Sequence, residues 1–142
     1  MISLQTTRLF LDFGMLVLIW LVQLSFYPRL QYYPRADLKR EHHKYTRAIT
    51  PVVLPLMTAQ LIVTLWQLYL NTAIYEWVSL LLLTLLWGLT FMVFVPLHRK
   101  IGSRYVEDHL LEKLVNYNWM RTFLWSLLFL YSLFQYLSLT NF

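Results

Sequence analysis

Residues 77–97 have the sequence WVSLLLLTLLWGLTFMVFVPL, a continuous apolar run without a charged side chain. An α-helix needs about 20 such residues to cross the ~30 Å hydrocarbon core of a bilayer. The leucines follow one another directly instead of alternating with polar residues, so the run does not fit a strand of a membrane β-barrel. We therefore predict a transmembrane helix here.

Three further apolar runs lie at residues 9–27, 48–70 and 119–139. The chain of 142 residues is 58% hydrophobic and only 13% charged, which is too apolar for a soluble domain. We expect the first run to remain as a helix, because Asp12 lies inside it and no small-residue cleavage site follows. The sequence predicts one domain, residues 1–142, with the fold of an all-α, integral membrane, four-helix up-down bundle.

The basic residues are distributed unevenly along the chain. Ten of the twelve Lys and Arg lie between the first and second runs or between the third and fourth, and the turn at residues 71–76 has none. The positive-inside rule places both basic loops in the cytoplasm and both termini outside. Because this topology and contact with anionic lipid explain the net charge of +5, we expect no nucleic-acid partner.

The second basic loop contains an amphipathic pattern at about residues 104–117. Val106, Leu110 and Leu114 recur four residues apart, with charged side chains between them. We expect this cytoplasmic segment to be helical and to continue into helix four.

Four histidines fall on the cytoplasmic side of the predicted bundle, at positions 42, 43, 98 and 109. The chain has no cysteine, so histidines and neighbouring carboxylates are its candidate ligands for a transition metal. His42 and His98 are the predicted metal ligands, although no two histidines have the i, i+4 spacing that places two ligands on one helix face. Haem bound by His98 with His42 or His43 is one alternative, and solvated histidines are the other.

Two arginines near the predicted helix ends also require explanation. Arg121, three residues into the predicted helix four, can reach lipid head groups, a ligand oxygen, or a side chain such as Gln23 or Gln60. Arg8 and Asp12 lie one helical turn apart near the outer end of helix one. We expect these two to pair with each other or to reach the interface.

Deep aromatic and polar side chains can line a pocket for a flat apolar molecule such as a quinone or a polyketide aromatic. The deep side chains are Trp20, Trp66, Trp87 and Trp125, with Gln23, Gln60 and Thr84, and among them Gln60 and Trp125 are candidate ligand-binding residues. Packing against lipid or against other helices is the alternative for each aromatic side chain.

Several short motifs resemble a known family. They are Tyr27-Pro28, His42 with Tyr45 and Arg47, Pro55-x-Met57, Val95-Pro96-x-His98, and Asn118-Trp119-x-Arg121-Thr122-x-x-Trp125. The pattern is similar to that of small four-helix bacterial membrane proteins in the anthrone-oxygenase-like superfamily. Fungal relatives in that superfamily are associated with oxygenation of anthrone-type aromatics.

The resemblance implies a site at the inner end of the bundle. It implies that the residues gathered there are His42, His98, Asn118, Trp119 and Arg121. With the nearby Tyr45, His42, Asn118 and Trp119 complete the candidate ligand-binding residues. The sequence departs from the family pattern at Tyr45, where a second His is frequent, and at Gln60, where a Glu is frequent. Both departures weaken a metal site.

Three functions remain open from the sequence. The first is a redox or oxygenase-like membrane protein that holds an apolar aromatic or quinone-like molecule against His42, with His98 as base or metal ligand and Arg121 stabilising an oxyanion. The second is a non-catalytic accessory subunit or scaffold of a larger membrane complex, or a homo-oligomer. The third, a transporter or channel, has no charged pathway at mid-membrane depth.

Overall fold

The computed structural model of the chain describes residues 4–103 and 107–140, which form four long helices. The helices are α1, Leu4–Leu30; α2, Arg35–Leu70; α3, Ile74–Ile101; and α4, Asp108–Thr140. This part of the chain contains no strand. The prediction of an all-α four-helix bundle is confirmed.

The helices run alternately up and down. Helices α1 and α3 each pack against both α2 and α4, so that α1 and α3 lie diagonally opposite each other. The hydroxyl of Tyr75, at the start of α3, donates to Ser132 near the end of α4 at 3.1 Å, as antiparallel neighbours require. We call the end of the bundle where α1 and α3 finish the basic end, and the opposite end the terminal end.

Large apolar side chains cover the outside of all four helices. Phe10 on α1, Trp66 on α2, Leu81 on α3 and Phe123 on α4 are each more than half exposed. Such a surface would aggregate in water, whereas lipid accommodates it and the helices satisfy their own backbone hydrogen bonds. All four helices are long and apolar enough to cross a membrane, as expected of a multi-pass membrane protein.

Two helices begin well before the apolar runs at residues 48 and 119. Helix α2 begins at Arg35, and Leu38, His42 and Tyr45 form a stripe at helical spacing that faces the bundle. Helix α4 begins at Asp108 and includes residues 108–117 of the predicted amphipathic segment, whereas residues 104–106 lie outside the described residues. Hydropathy marks the apolar runs but not these helix starts, because the added turns are polar on their outer side.

The interior of the bundle is divided into layers along its axis. The apolar middle layer contains Met15, Ile19, Met57, Leu82, Leu83, Leu86, Trp125 and Leu128. A polar cluster around Arg8 and Asp12 lies on the terminal side of this layer, and a second polar cluster around His98 lies on its basic side.

Candidate functional site

The two helices that finish at the basic end each contain one π-helical turn. The turn spans Val22–Phe26 in α1 and Thr90–Phe94 in α3, and a proline follows each turn two residues later. Proline has no N–H, and a wider turn ahead of it accommodates the carbonyl group that loses its helical partner. One additional residue rotates the segment that follows by about 100°. Tyr27 and His98 lie beyond these turns and face the bundle interior.

His98 connects side chains from two other helices. Its Nδ1 lies 2.8 Å from Nε2 of His42 on α2, and its Nε2 lies 3.1 Å from the hydroxyl of Tyr27 on α1. Both His42 and Tyr27 are buried, and the Tyr27 ring packs edge-on against Tyr45. A neutral imidazole has one donor and one acceptor nitrogen, so His98 can make both hydrogen bonds at once. The three side chains form a continuous hydrogen-bonded chain.

Arg121 is a buried cation that has no carboxylate partner within residues 4–103 and 107–140. Its Nη1 lies 3.5 Å from Oδ1 of Asn118, its guanidinium lies 4.4 Å from the ring centroid of Phe94, and its Nε has no hydrogen-bond partner. The Tyr27 hydroxyl lies beside the guanidinium. Asn118 is itself positioned by Gln23, whose Oε1 accepts its side-chain N–H at 2.9 Å. A buried, unneutralised charge with a free donor suits a ligand oxygen.

A cavity of about 260 Å³ extends from these side chains toward the middle layer. Its polar end is formed by Tyr27, Tyr45, His98 and Arg121. We call these four residues, together with Gln23, His42 and Asn118, the histidine cluster. The remaining walls are mainly apolar and include Ile19, Val22, Val53, Met57 and Phe94.

The cavity opens at the outer surface between α2 and α3. Leu54 on α2 and Phe91 on α3 line the cavity and are also about half exposed, at 47% and 53%. Apolar side chains on both helices surround this opening, so a membrane around the bundle would place lipid beside it. A molecule dissolved in the bilayer can therefore reach the histidine cluster without crossing the aqueous phase.

The structure brings two of the four histidines together, His42 and His98. His43 and His109 are exposed, and His109 lies 3.0 Å from a carboxylate oxygen of Glu107. No three His, Asp or Glu side chains converge in the described part of the chain. The facing nitrogens of His42 and His98 point at each other, and both ring nitrogens of His98 are already hydrogen-bonded. A metal ion or haem iron on His98 would have to replace one of these hydrogen bonds.

Gln60 does not join the histidine cluster. It is fully buried on the terminal side of the middle layer, where its Nε2 donates to Oδ1 of Asp12 at 2.6 Å. Arg8 Nε lies 2.9 Å from Asp12 Oδ2, and Arg8 Nη1 also donates to Thr64 and, at 3.3 Å, to Gln67. We call these five residues the ion-pair cluster. The structure therefore does not bring Gln60 together with His42, because α2 carries it about five turns farther along the bundle.

The two predicted tryptophans also lie away from the cavity. Trp125 is buried in the apolar middle layer and does not line the cavity. Trp119 is nearly half exposed on the outside of α4, where it packs edge-on against Trp20. Trp119 follows Asn118 directly, and neighbouring helix residues point about 100° apart, so only one of them faces the bundle.

Tyr27 was not singled out from the sequence as a site residue, because tyrosines near the end of a membrane span are common interfacial anchors. The structure places it fully inside the bundle, between His98 and Arg121. One feature of the sequence could have indicated that Tyr27 belongs to the site. Tyr27-Pro28 and Val95-Pro96 are both X-Pro pairs near the ends of two helices that run in the same direction.

Comparisons of the chain with protein-family models, with curated proteins and with solved structures find no match. The fold and the site therefore define the protein by class, as a four-helix bundle of the multi-pass membrane type with a cavity beside a histidine cluster. The similarity to anthrone-oxygenase-like proteins stays a prediction from short motifs.

Proposed function

We propose that this protein binds a compact, ring-bearing apolar molecule with a carbonyl or phenolate oxygen, such as a quinone or an anthrone-type aromatic. The observation that carries the proposal is the cavity, which has apolar walls, an opening on the apolar outer surface and Arg121 at its polar end. Its volume of about 260 Å³ lies just below the ~300–1,000 Å³ that is typical of ligand pockets. A cavity of this volume favours a ligand with one compact ring system.

The polar end supplies two complementary groups to such a ligand. The Arg121 guanidinium can donate to the ligand oxygen through its unpartnered Nε, and so stabilise a developing oxyanion. Tyr27 and His98 can exchange a proton with the same oxygen, because both line the cavity and are already hydrogen-bonded to each other. Proton removal beside a cation is the first step expected for redox or oxygenase-like chemistry on an anthrone-type aromatic.

We also propose that the basic end of the bundle lies in the cytoplasm, since ten of the twelve Lys and Arg are in the two loop regions at that end. The chain has no cysteine, so single-cysteine variants report sidedness without background. In intact cells, a membrane-impermeant maleimide should label Asn71→Cys and leave Lys100→Cys unlabelled. The reverse pattern would invert the topology.

The binding proposal is tested with the purified protein in lipid nanodiscs and 2-hydroxy-1,4-naphthoquinone as the probe. Equilibrium dialysis should show saturable binding of about one probe per chain above the partitioning into empty nanodiscs. Partitioning equal to that of empty nanodiscs would contradict the proposal and leave the role of a scaffold in a larger membrane complex.

A further inference from the structure

We propose that Tyr27, His98 and His42 form a proton relay that connects the cavity with water at the basic end of the bundle. The relay rests on the proposed function, because its inner end is the oxygen of the ligand in the cavity. Its outer end is the second ring nitrogen of His42. The relay would let a ligand held among apolar walls exchange a proton with the aqueous phase.

The first observation is an open groove on the other side of the histidine pair. The groove has a volume of about 360 Å³, and its lining side chains are mostly polar or basic. It is lined by Lys39, His42, His43, His98, Arg99 and Gly102, among others. His98 lines both this groove and the cavity, and Thr46, Thr50 and Val95 also border both spaces. A single layer of side chains therefore separates the cavity from the groove.

The second observation is that hydrogen bonds cross this layer without a gap. The Tyr27 hydroxyl lines the cavity and lies 3.1 Å from His98 Nε2, and His98 Nδ1 lies 2.8 Å from His42 Nε2. The rings of His42 and His98 are 5.0 Å apart, tilted by 31°. These donor–acceptor distances are within the range across which protons transfer directly.

The transfer balances when each imidazole gains a proton at one ring nitrogen and gives up the proton of its other ring nitrogen. Tyr27 gives its hydroxyl proton to the ligand oxygen and receives the Nε2 proton of His98. His98 receives the Nε2 proton of His42 at its Nδ1, and His42 receives a proton from water in the groove at its own Nδ1. One proton passes from the groove to the ligand, and both imidazoles finish neutral in the other tautomer.

The charged side chains around the His42–His98 pair are basic. The titratable and charged groups that face it are Lys39 and His43 on α2, Arg99 on α3, Arg121 on α4, and the hydroxyls of Tyr27 and Tyr45. No carboxylate among the described residues lines the groove. A relay that passes a proton by tautomer exchange places no additional net charge among these cations.

A pH jump tests the relay with 2-hydroxy-1,4-naphthoquinone bound in nanodiscs, since the colour of this probe reports its own protonation. His42→Ala should slow protonation of the bound probe about a hundredfold without changing its affinity. Added imidazole should restore most of the rate. His109→Ala, a change at an exposed histidine that lines neither the groove nor the cavity, should leave the rate unchanged.

A rate in His42→Ala equal to that of the unmodified protein would overturn the relay. A second variant, His42→Phe, keeps a ring in the bundle but removes both nitrogens, and it should be slow and insensitive to imidazole. Loss of probe binding in both variants would give His42 a structural role and also overturn the relay. Failure of the unmodified protein to bind the probe is a different result, because it contradicts the proposed function itself.

Discussion

The histidine cluster and the ion-pair cluster lie on opposite sides of one apolar layer. Each contains a buried arginine, but the two arginines differ in whether a carboxylate neutralises them. In the ion-pair cluster Arg8 is neutralised by Asp12 at 2.9 Å, and Asp12 also accepts a hydrogen bond from Gln60. In the histidine cluster the described groups beside Arg121 are an amide, an aromatic ring and a tyrosine hydroxyl, none of which is an anion. The first arginine is compensated within the protein and the second is not.

The arginine without a carboxylate partner is also the one that borders the cavity. None of the five residues of the ion-pair cluster lines the cavity, whereas Arg121 does. Some polar atoms of the ion-pair cluster also lack partners, among them Arg8 Nη2 and Gln60 Oε1, but its two charges are paired with each other. We infer that a buried charge neutralised within the protein supports the fold, and that one left open beside a cavity is available to a ligand.

The largest effect is expected when the paired arginine loses its carboxylate. Asp12→Ala leaves Arg8 fully buried without a counter-charge, which should lower the free energy of unfolding by about 3–5 kcal/mol. Thermal unfolding of the purified protein in nanodiscs measures this change. Asp37→Ala is the control, because Asp37 pairs with Arg40 in an exposed ion pair whose loss should change stability little. Equal stability of the two variants would show that the ion-pair cluster does not support the fold.

Filling the cavity should remove binding without unfolding the bundle. Val53→Trp places a large ring inside the cavity, so 2-hydroxy-1,4-naphthoquinone should no longer bind in equilibrium dialysis. The matched control is Val52→Trp, because Val52 is 47% exposed on the lipid-facing side of the same helix turn. If both variants bind the probe equally well, the ligand does not occupy this cavity.

The unpaired arginine should matter for the ligand more than for the fold. Arg121→Gln removes the cation from the polar end of the cavity and should weaken probe binding about ten- to a hundredfold, the range expected for a hydrogen bond to a charged group. The unfolding temperature should stay the same or rise, because an uncompensated buried charge is removed. The control is Arg99→Gln, an exposed position near the same end. A large loss of stability in Arg121→Gln with unchanged affinity for the probe would show that Arg121, like Arg8, supports the fold and not a ligand.

The smallest effect is expected at the tyrosine between the histidine and the arginine. Tyr27→Phe keeps the packed ring and removes one hydroxyl, so probe affinity should fall only about two- to tenfold. Tyr32→Phe, at an exposed tyrosine, is the matched control. A decrease of the same size in both would show that the Tyr27 hydroxyl does not contact the ligand.

The fold was predictable because lipid imposes a simple length rule. Four apolar runs long enough to cross a bilayer predict four helices, and the structure has four. The start of α2 was not visible to hydropathy, because residues 35–47 combine one buried stripe with a charged outer face. The early start of α4 was indicated by its amphipathic pattern and not by hydropathy. Apolar content identifies the part of a helix inside lipid and not the part that extends beyond it.

The site could be predicted for residues whose place along a membrane span determines their depth in the bundle. His42, His98 and Arg121 were expected at the inner end, and they lie at one end of the bundle around the cavity and the groove. Gln60 and the two tryptophans do not meet these residues, since depth and helix face decide which side chains come together, and short motifs do not encode either. The π-helical turns add a rotation that 3.6-residue periodicity cannot anticipate.

The most direct measurement is photo-crosslinking of a photoreactive azidonaphthoquinone to the protein in nanodiscs, followed by mapping of the adducts by mass spectrometry. We predict adducts on cavity residues of α2 and α3, such as Met57 and Phe91, and their loss when 2-hydroxy-1,4-naphthoquinone is added in excess. Adducts spread over outward-facing side chains such as Phe10 and Phe134, without competition, would contradict a ligand site beside the histidine cluster.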